Sequence, residues 1–528
     1  MKKISSLPLF LNHSGRFHLI FLGLAAGSCA AAVSLLYRAA LAYAEELRSW
    51  IYIHADTPFS IFLLFLGLLL TGYLVGRMVE NEPLISGSGI PQVEGQVLGY
   101  FSPRWFSVLW KKFAAGTLSL LCGLSLGREG PSIQLGAMAA QGFCEKTHRQ
   151  QIEQKYLITC GGCAGLAAAF QAPLSGLMFG LEEIHKNFST RALFSVMAAC
   201  LAADMFASLI FGNHSVLGLQ PAGSLPLMYY PLVIACGIFT GLASCIYNKT
   251  LFTMKKWYAK IPAPLWARIA LPFILTGFIG IFYPEILGSG DFIIEQMASE
   301  NHLIHALLIL LTAKFLFSMI CFCSGAPGGI FFPMLVLGAL CGSVFGETAC
   351  FLFQLPKEYV FQFMLSGMAG LFSGIVRAPL TGILLVVEMS GSLTQLFGLA
   401  TAAFFSSLTA DFLHIKPVYE KLLEDMIPPE KNQPAPDELS TLELTISYRS
   451  PFAGHTLNEF KLPENCLIIS ITRSGKQIIP HGNTQIHGGD FITLLCPAGE
   501  EGILKKALGY GIPPDEDLHP AIEKLFHA

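Results

Sequence analysis

Arg128 and Glu129 stand side by side in the segment GREGP at 127–131, and neither flank, 113–126 or 132–143, contains an Asp, Glu, Lys, Arg or His. A charge at membrane depth costs roughly 2.5–3.5 kcal/mol on insertion scales, so it persists mainly where it does chemistry. Two kinds of chemistry fit. A carboxylate takes up and releases a proton. Gly127 and Gly130 free the backbone to point N–H groups at an anion, and Pro131 suits the first turn of a following helix. The plainer reading is a salt bridge that joins two helices. Glu182 and Glu183 form a second acidic pair at the end of an apolar stretch, next to His185 and Lys186. They could carry protons, or cap and brace their helix. Two more Gly-rich turns open apolar segments: GSGIP at 87–91 and GAPGGIFFP at 325–333. If the three helix N-termini converge, their dipoles and free N–H groups hold an anion without a buried cation, an arrangement that both binds and releases.

The elements that must position these groups are membrane helices. Hydrophobic residues make up 53% of the 528 and charged residues only 13%, about half the charge of an average soluble domain near ~25%. The mean hydropathy is +0.56, and apolar stretches recur from Phe17 to Phe412, as at 58–76, 191–211, 228–246, 268–282 and 303–323. Others, at 88–99, 131–143 and 331–345, are short or interrupted by Gly and Pro. A helix needs ~20 residues to span, so these read as half-helices meeting inside the bilayer around a cavity. The start, Met1-Lys2-Lys3 before an apolar run from Phe17 to Leu36, fits an uncleaved first helix with its N-terminus inside rather than a signal peptide. The net charge of −3 gives no reason to invoke nucleic acid. The fourteen Cys are scattered, and Cys160-Gly-Gly-Cys163 lacks the second pair or nearby His of a metal site, so small buried thiols account for it. No metal or cofactor is implied. Nor is there a nucleophile–base pair in the apolar segments of the kind an intramembrane enzyme needs.

The membrane region repeats itself. Gly127, Pro131, Leu135, Gly136 and Ala137 recur as Gly329, Pro333, Leu337, Gly338 and Ala339, 202 residues on. QAPLSGLMFGLE at 171–182 recurs as RAPLTGILLVVE at 377–388, 206 residues on. Internal duplication is the usual build of secondary transporters, with the binding site between the halves. The repeat itself leaves open whether the halves are inverted. After Pro428-Pro429 a polar linker, 429–440, leads to alternating and β-branched runs at 442–447, 467–473 and 491–496, with a hairpin turn at 473–476. These predict a small α+β domain over 441–510, with a tail, 511–528, beyond it.

Together, GSGIP at 87–91, GREGP at 127–131, GGIFFP at 328–333 and Lys416-Pro-Val-Tyr419 resemble the CLC family of chloride channels and proton-coupled chloride antiporters, over about residues 15–425 and in the family's order. The resemblance implies an all-α polytopic membrane domain (residues 1–428) with an inverted internal repeat and broken helices, working as a homodimer in which each subunit has its own pathway. It implies that the Ser88 and Tyr419 hydroxyls and the Ile330 and Phe331 amides hold chloride, and that Glu129 is the gating glutamate. Glu183 falls where the family's antiporters keep an internal proton-transfer glutamate, with Glu182 beside it as a second candidate. Arg128 and Lys112 are expected to shape the entry electrostatically or to serve as structural ion-pair partners. Ser88 goes with chloride in this family and Pro with nitrate, and Tyr419 also argues for chloride. The expected activity is exchange of chloride for protons. A passive chloride channel, voltage- or pH-gated on the same fold, is the rival.

The tail resembles the C-terminal subdomain of potassium-transport regulatory proteins, through PFAGHTLNEF at 451–460, IISITRSGKQIIPHGNT at 468–484 and Gly488-Gly-Asp490. That resemblance implies dimer stabilisation or a small-molecule ligand. The expected setting is the inner membrane of a prokaryotic cell, with both termini cytoplasmic.

Overall fold

The computed structural model describes residues 13–186, 190–212, 225–299 and 303–427. In the C-terminal part it describes 439–447, 450, 452–459, 462, 466–473, 476–497 and 504. The first lysines, the 429–438 stretch of the expected linker and the 511–528 tail lie outside the described residues. The chain forms two compact units, one reaching to Leu422 without 95–102, the other made of 95–102 and the residues from 423 onward.

The first unit is helical. Its first half runs α1 His13–Ile53, α2 Pro58–Asn81, α3 Ile90–Val97, α4 Trp105–Leu121, α5 Glu129–Lys146, α6 Gln151–Phe170, α7 Pro173–Phe179 and α8 Thr190–Phe211. Its second half runs α9 Tyr230–Ala259, α10 Leu265–Phe282, α11 Asp291–Ser299, α12 Ile304–Cys323, α13 Phe331–Phe353, α14 Tyr359–Val376, α15 Pro379–Ser390 and α16 Leu396–Phe412, and α17 Val418–Met426 follows. Among the described residues, nine helical stretches are long and apolar enough to cross a membrane. Apolar side chains on α2, such as Phe59, Phe62 and Leu70, are exposed, as suits a surface facing lipid rather than water. At 1.5 Å per residue the 41 residues of α1 span about 60 Å, twice the hydrocarbon core, so α1 must tilt or project beyond it.

Each helix of the first half has its mate eight helices on, and the packing repeats with it. The α5–α6, α6–α8, α1–α5 and α1–α6 contacts recur as α13–α14, α14–α16, α9–α13 and α9–α14. Three mated pairs, α2–α10, α5–α13 and α7–α15, touch each other directly. At the centre, the mates Gly127 and Gly329 form an antiparallel bridge. Such a bridge between mates places a local two-fold axis across the chain direction, as an inverted repeat requires. The short segment expected at 331–345 is instead a continuous helix to Phe353. Its glycines are contact points and not breaks: a Cβ on Gly338 would lie 2.7 Å from the Gly367 carbonyl oxygen of α14. Such close backbone approach is how helices associate where no hydrophobic driving force separates helix from lipid.

The second unit holds a four-stranded antiparallel sheet of β1 Leu439–Thr445, β2 Leu467–Arg473, β3 Lys476–Ile478 and β4 Phe491–Pro497, ordered β1-β4-β2-β3. A bulge between Ile468 and Ser470 shifts the β2–β4 register. One face buries Leu442, Leu444, Ile471, Ile492 and Leu494 with Phe452. Alternation therefore located three strands, and β3 is a three-residue addition. Ser474 and Gly475 of the expected turn are outside the described residues.

Candidate functional site

The three Gly-rich turns are joined backbone to backbone. Gly328 N–H donates to the Gly87 carbonyl at 3.0 Å, and Gly127 and Gly329 exchange N–H···O bonds of 2.6 and 2.8 Å. A Cβ on Gly130 would meet the Ser88 hydroxyl and lie 2.6 Å from the Ser88 carbonyl oxygen, so only glycine permits this approach. The N-termini of α3, α5 and α13 thus converge, which meets the condition for holding an anion at helix ends.

Buried donors face this junction. Ser88 and Tyr419 are almost wholly enclosed. The Tyr419 phenol lies toward Ser88, and neither hydroxyl has a hydrogen bond of normal geometry. Ile330 and Phe331 open α13, so their amides lack the preceding-turn carbonyl that would accept them. Leaving a buried donor unpaired costs about 1–3 kcal/mol; a small anion among these groups removes that cost. Tyr419 is placed from afar: Asn248 Nδ2 donates to the Lys416 carbonyl at 3.2 Å and Arg377 donates to the Ile415 carbonyl at 3.1 Å, fixing the approach to α17. The Phe331 ring packs on Phe372 at 4.7 Å and on Phe170 and Phe179, which locks the N-terminus of α13.

Glu129 is 0% exposed. Its carboxylate faces its own amide and that of Phe332, without a hydrogen bond of ordinary length. It also fills the space beside Gly127 where a Cβ would stand, 3.1 Å from the Phe332 nitrogen. The carboxylate therefore faces the same end of α13 that Ile330 and Phe331 open, one residue further on. Arg128 Nε stands 3.8 Å from Glu129 Oε1, and Asp291 and Glu45 are within electrostatic range of the guanidinium. Arg128 accordingly belongs to a mixed-charge cluster at the partly exposed end of the junction.

The acidic pair divides its labour. Glu182 accepts from the Leu380 amide (3.1 Å), the Thr381 amide (2.8 Å) and the Thr381 hydroxyl (2.7 Å), capping the N-terminus of α15. Its mate Glu388 accepts in the same way from the Leu174 and Ser175 amides at the start of α7, at 2.9 and 2.8 Å, and from the Ser175 hydroxyl. A carboxylate tied by three bonds to a helix end caps that helix, the bracing alternative for Glu182. Glu183, in the π turn Gly180–Ile184 that ends α7, is 3% exposed and its Oε1 has no partner. Both Glu129 and Glu183 lie within electrostatic range of Tyr419.

Lys112 also departs from expectation. It is wholly buried, and its ammonium donates to the Ile85 and Gly87 carbonyls at 2.9 and 2.7 Å. Among the described residues no ion pair involves it. It holds the turn before Ser88 in shape. Lys314, its mate, donates to the Ile286 and Gly288 carbonyls, both at 2.8 Å. Sequence reasoning missed Lys314, Asn248, Arg377 and the ion pair of Lys186 Nζ with Glu94 Oε1 at 2.7 Å. The signal for Lys314 was present: Pro, Ile, Gly, Ser and Gly at 83, 85, 87, 88 and 89 recur at 284, 286, 288, 289 and 290.

Fold and site thus define a polytopic membrane protein with an inverted duplication and a buried junction of helix ends lined by two hydroxyls and a carboxylate. Residues 67–411 match the family described as voltage gated chloride channel, and 441–509 match the TrkA-C domain. The chain is 31% identical over 438 residues to an H(+)/Cl(-) exchange transporter ClcA of Salmonella agona, covering 79% of this chain and 92% of that protein. It superposes on the crystal structure of a slow cyanobacterial Cl-/H+ antiporter with a TM-score of 0.74 at 28% identity, covering 78% of this chain and 98% of that one. It shares the fold of a eukaryotic CLC transporter at a TM-score of 0.67 and 17% identity, over 83% of this chain and 79% of that one. The chain belongs to the voltage-gated chloride channel (CLC) family.

Proposed function

We propose that the chain exchanges chloride for protons, with Ser88, Tyr419 and the Ile330 and Phe331 amides holding chloride, Glu129 acting as the gate and Glu183 taking protons from the internal side. The observation that carries this reading is the position of the Glu129 carboxylate at the junction of α5 and α13. Ionised, it competes with chloride for the positive end of α13; protonated, it has no claim on it. Proton binding and chloride binding are therefore linked, and linkage of this kind is reciprocal. Glu183, buried with a free oxygen, gives protons a way in that chloride does not share. Glu182 is left with its cap. The names of the relatives, exchange transporter and antiporter, support the same reading.

The wider assignment follows the family's pattern: a homodimer with one pathway per subunit, in the inner membrane with both termini cytoplasmic. Residues 441–509 serve as a regulatory or dimer-stabilising domain on a linker at 429–440. The test is proton movement into liposomes loaded with chloride, under an outward chloride gradient. Uphill proton entry that is lost in Glu129→Ala and in Glu183→Gln is the expected result. Chloride efflux with no proton movement would make the protein a passive channel.

A further inference from the structure

Glu183 does not stand alone. Glu94 of α3 and Glu420 of α17 lie within its electrostatic range, as does Glu182, and among the described residues the cation in that range is Lys186. Lys186 follows the π turn with φ +50, a left-handed conformation that L side chains other than Asn and Asp rarely adopt. That conformation accompanies an ammonium that reaches Glu94 Oε1 at 2.7 Å, with Glu94 2% and Lys186 25% exposed. From the other elements packed on this turn, α17 contributes Tyr419. Through α6 come the Tyr156 ring, tilted against that of His185 with centroids 5.2 Å apart, and the Cys163 thiol, which fills the space beside Gly180. On the α8 side, Val196 lies against the same glycine.

Several carboxylates confined in a low-dielectric pocket cannot all ionise without a cation, and their protons are shared as a set. A salt bridge that merely braced α3 would gain little by standing beside a carboxylate with an unused oxygen, since a buried pair is itself weak support for stability. We propose that Lys186 is a positioning residue for proton transfer: held on Glu94, its ammonium sets the charge around Glu183 and so the internal pH at which protons enter the pathway. This rests on the assignment of Glu183 as the internal proton acceptor.

The decisive readout is the internal-pH dependence of proton transport in liposomes at fixed external pH. Glu94→Gln leaves the ammonium uncompensated, which favours ionised Glu183 and moves the midpoint down, by about one pH unit for a unit charge several ångströms away. Adding Lys186→Met to that variant removes the cation while Glu94 can no longer answer by taking a proton itself. The midpoint then moves back up by a similar amount, whereas Glu94→Gln with Lys186→Arg stays with the single variant. Equal midpoints for E94Q and E94Q/K186M would overturn the proposal. Should the double variant fail to insert, equal midpoints for wild type and E94Q overturn it as well. Glu183→Gln separates the two levels of inference: full proton coupling in that variant refutes the role of Glu183, while lost coupling with unmoved midpoints refutes only the role of Lys186.

Discussion

Inversion of the halves supplies its own control for the role of Lys112. Lys112 and Lys314 make the same pair of bonds to the same two places in their turns. Replacing either by Met, of similar length, strands two buried carbonyls at about 1–3 kcal/mol each, partly offset because no ammonium needs burying. Both variants should therefore lose thermal stability to a similar degree, about 2 kcal/mol. Their effects on chloride should differ sharply. The Gly87 carbonyl immediately precedes Ser88, whose hydroxyl is free to donate to the anion. The Gly288 carbonyl precedes Ser289, whose hydroxyl already donates to Asp291 Oδ2 at 2.9 Å. A hydrogen bond to a charged group contributes about 1.5–3 kcal/mol, so Lys112→Met should weaken chloride binding by roughly 10- to 150-fold. Lys314→Met should change it by less than about twofold, because no anion-binding hydroxyl depends on it. Chloride titration calorimetry on the detergent-solubilised protein, with thermal melts alongside, measures both quantities. Wild-type affinity in Lys112→Met, or an equal loss in Lys314→Met, would refute the reasoning.

Two further outcomes follow from the same geometry. Glu182→Gln and Glu388→Gln should each lower stability by about 1–3 kcal/mol, since each weakens a charged helix cap. Both should keep the proton-to-chloride ratio in liposome flux assays, and a lost ratio in Glu182→Gln would return that residue to the proton path. In the tail, burial opposes ionisation of Asp490, but Arg473 Nε and Nη2 at 2.8 and 2.7 Å and the His487 amide at 2.8 Å outweigh it and hold the carboxyl below its usual range. A depressed carboxyl contributes stability above its unfolded pKa, near ~3.9, and loses it as pH falls through the folded value. Hydrogen exchange on the full chain should show β2 and β4 losing protection below about pH 4, with Asp490→Asn less protected at neutral pH and flatter in its response.

What the sequence disclosed was local and what it withheld was distant. Glu129, Ser88 and the helix-opening prolines declare themselves because a charge between glycines, or a hydroxyl in a Gly-rich turn, has few uses within an apolar run. Glu182 and Glu183 look alike in sequence. Their difference lies in the start of α15, 199 residues from Glu182 along the chain, and in the π turn that separates the directions of adjacent side chains. Lys112 offers a charge without an address, since its acceptors are backbone carbonyls of no particular residue type. The direction of the second half was illegible because a repeated motif looks the same whichever way its copy runs through the membrane. Only in the folded chain do the mates Gly127 and Gly329 meet antiparallel.

Duplication also explains why there is one such site and not two. Inversion brings the starts of α5 and α13 face to face and offers two equivalent clusters of amides, but their side chains have diverged. Glu129 has Phe331 as its mate, so one half carries the ionisable gate and the other supplies the apolar end that presents its amides. Ile90 has Asp291 as its mate, in register with Ser88 and Ser289. Beside Ser88 an isoleucine leaves the hydroxyl free, whereas beside Ser289 an aspartate takes it and adds a fixed negative charge close to Arg128. An anion approaching the second turn would meet a carboxylate and no unclaimed serine hydroxyl. A symmetric backbone with asymmetric side chains thus confines the proton–anion competition to a single place.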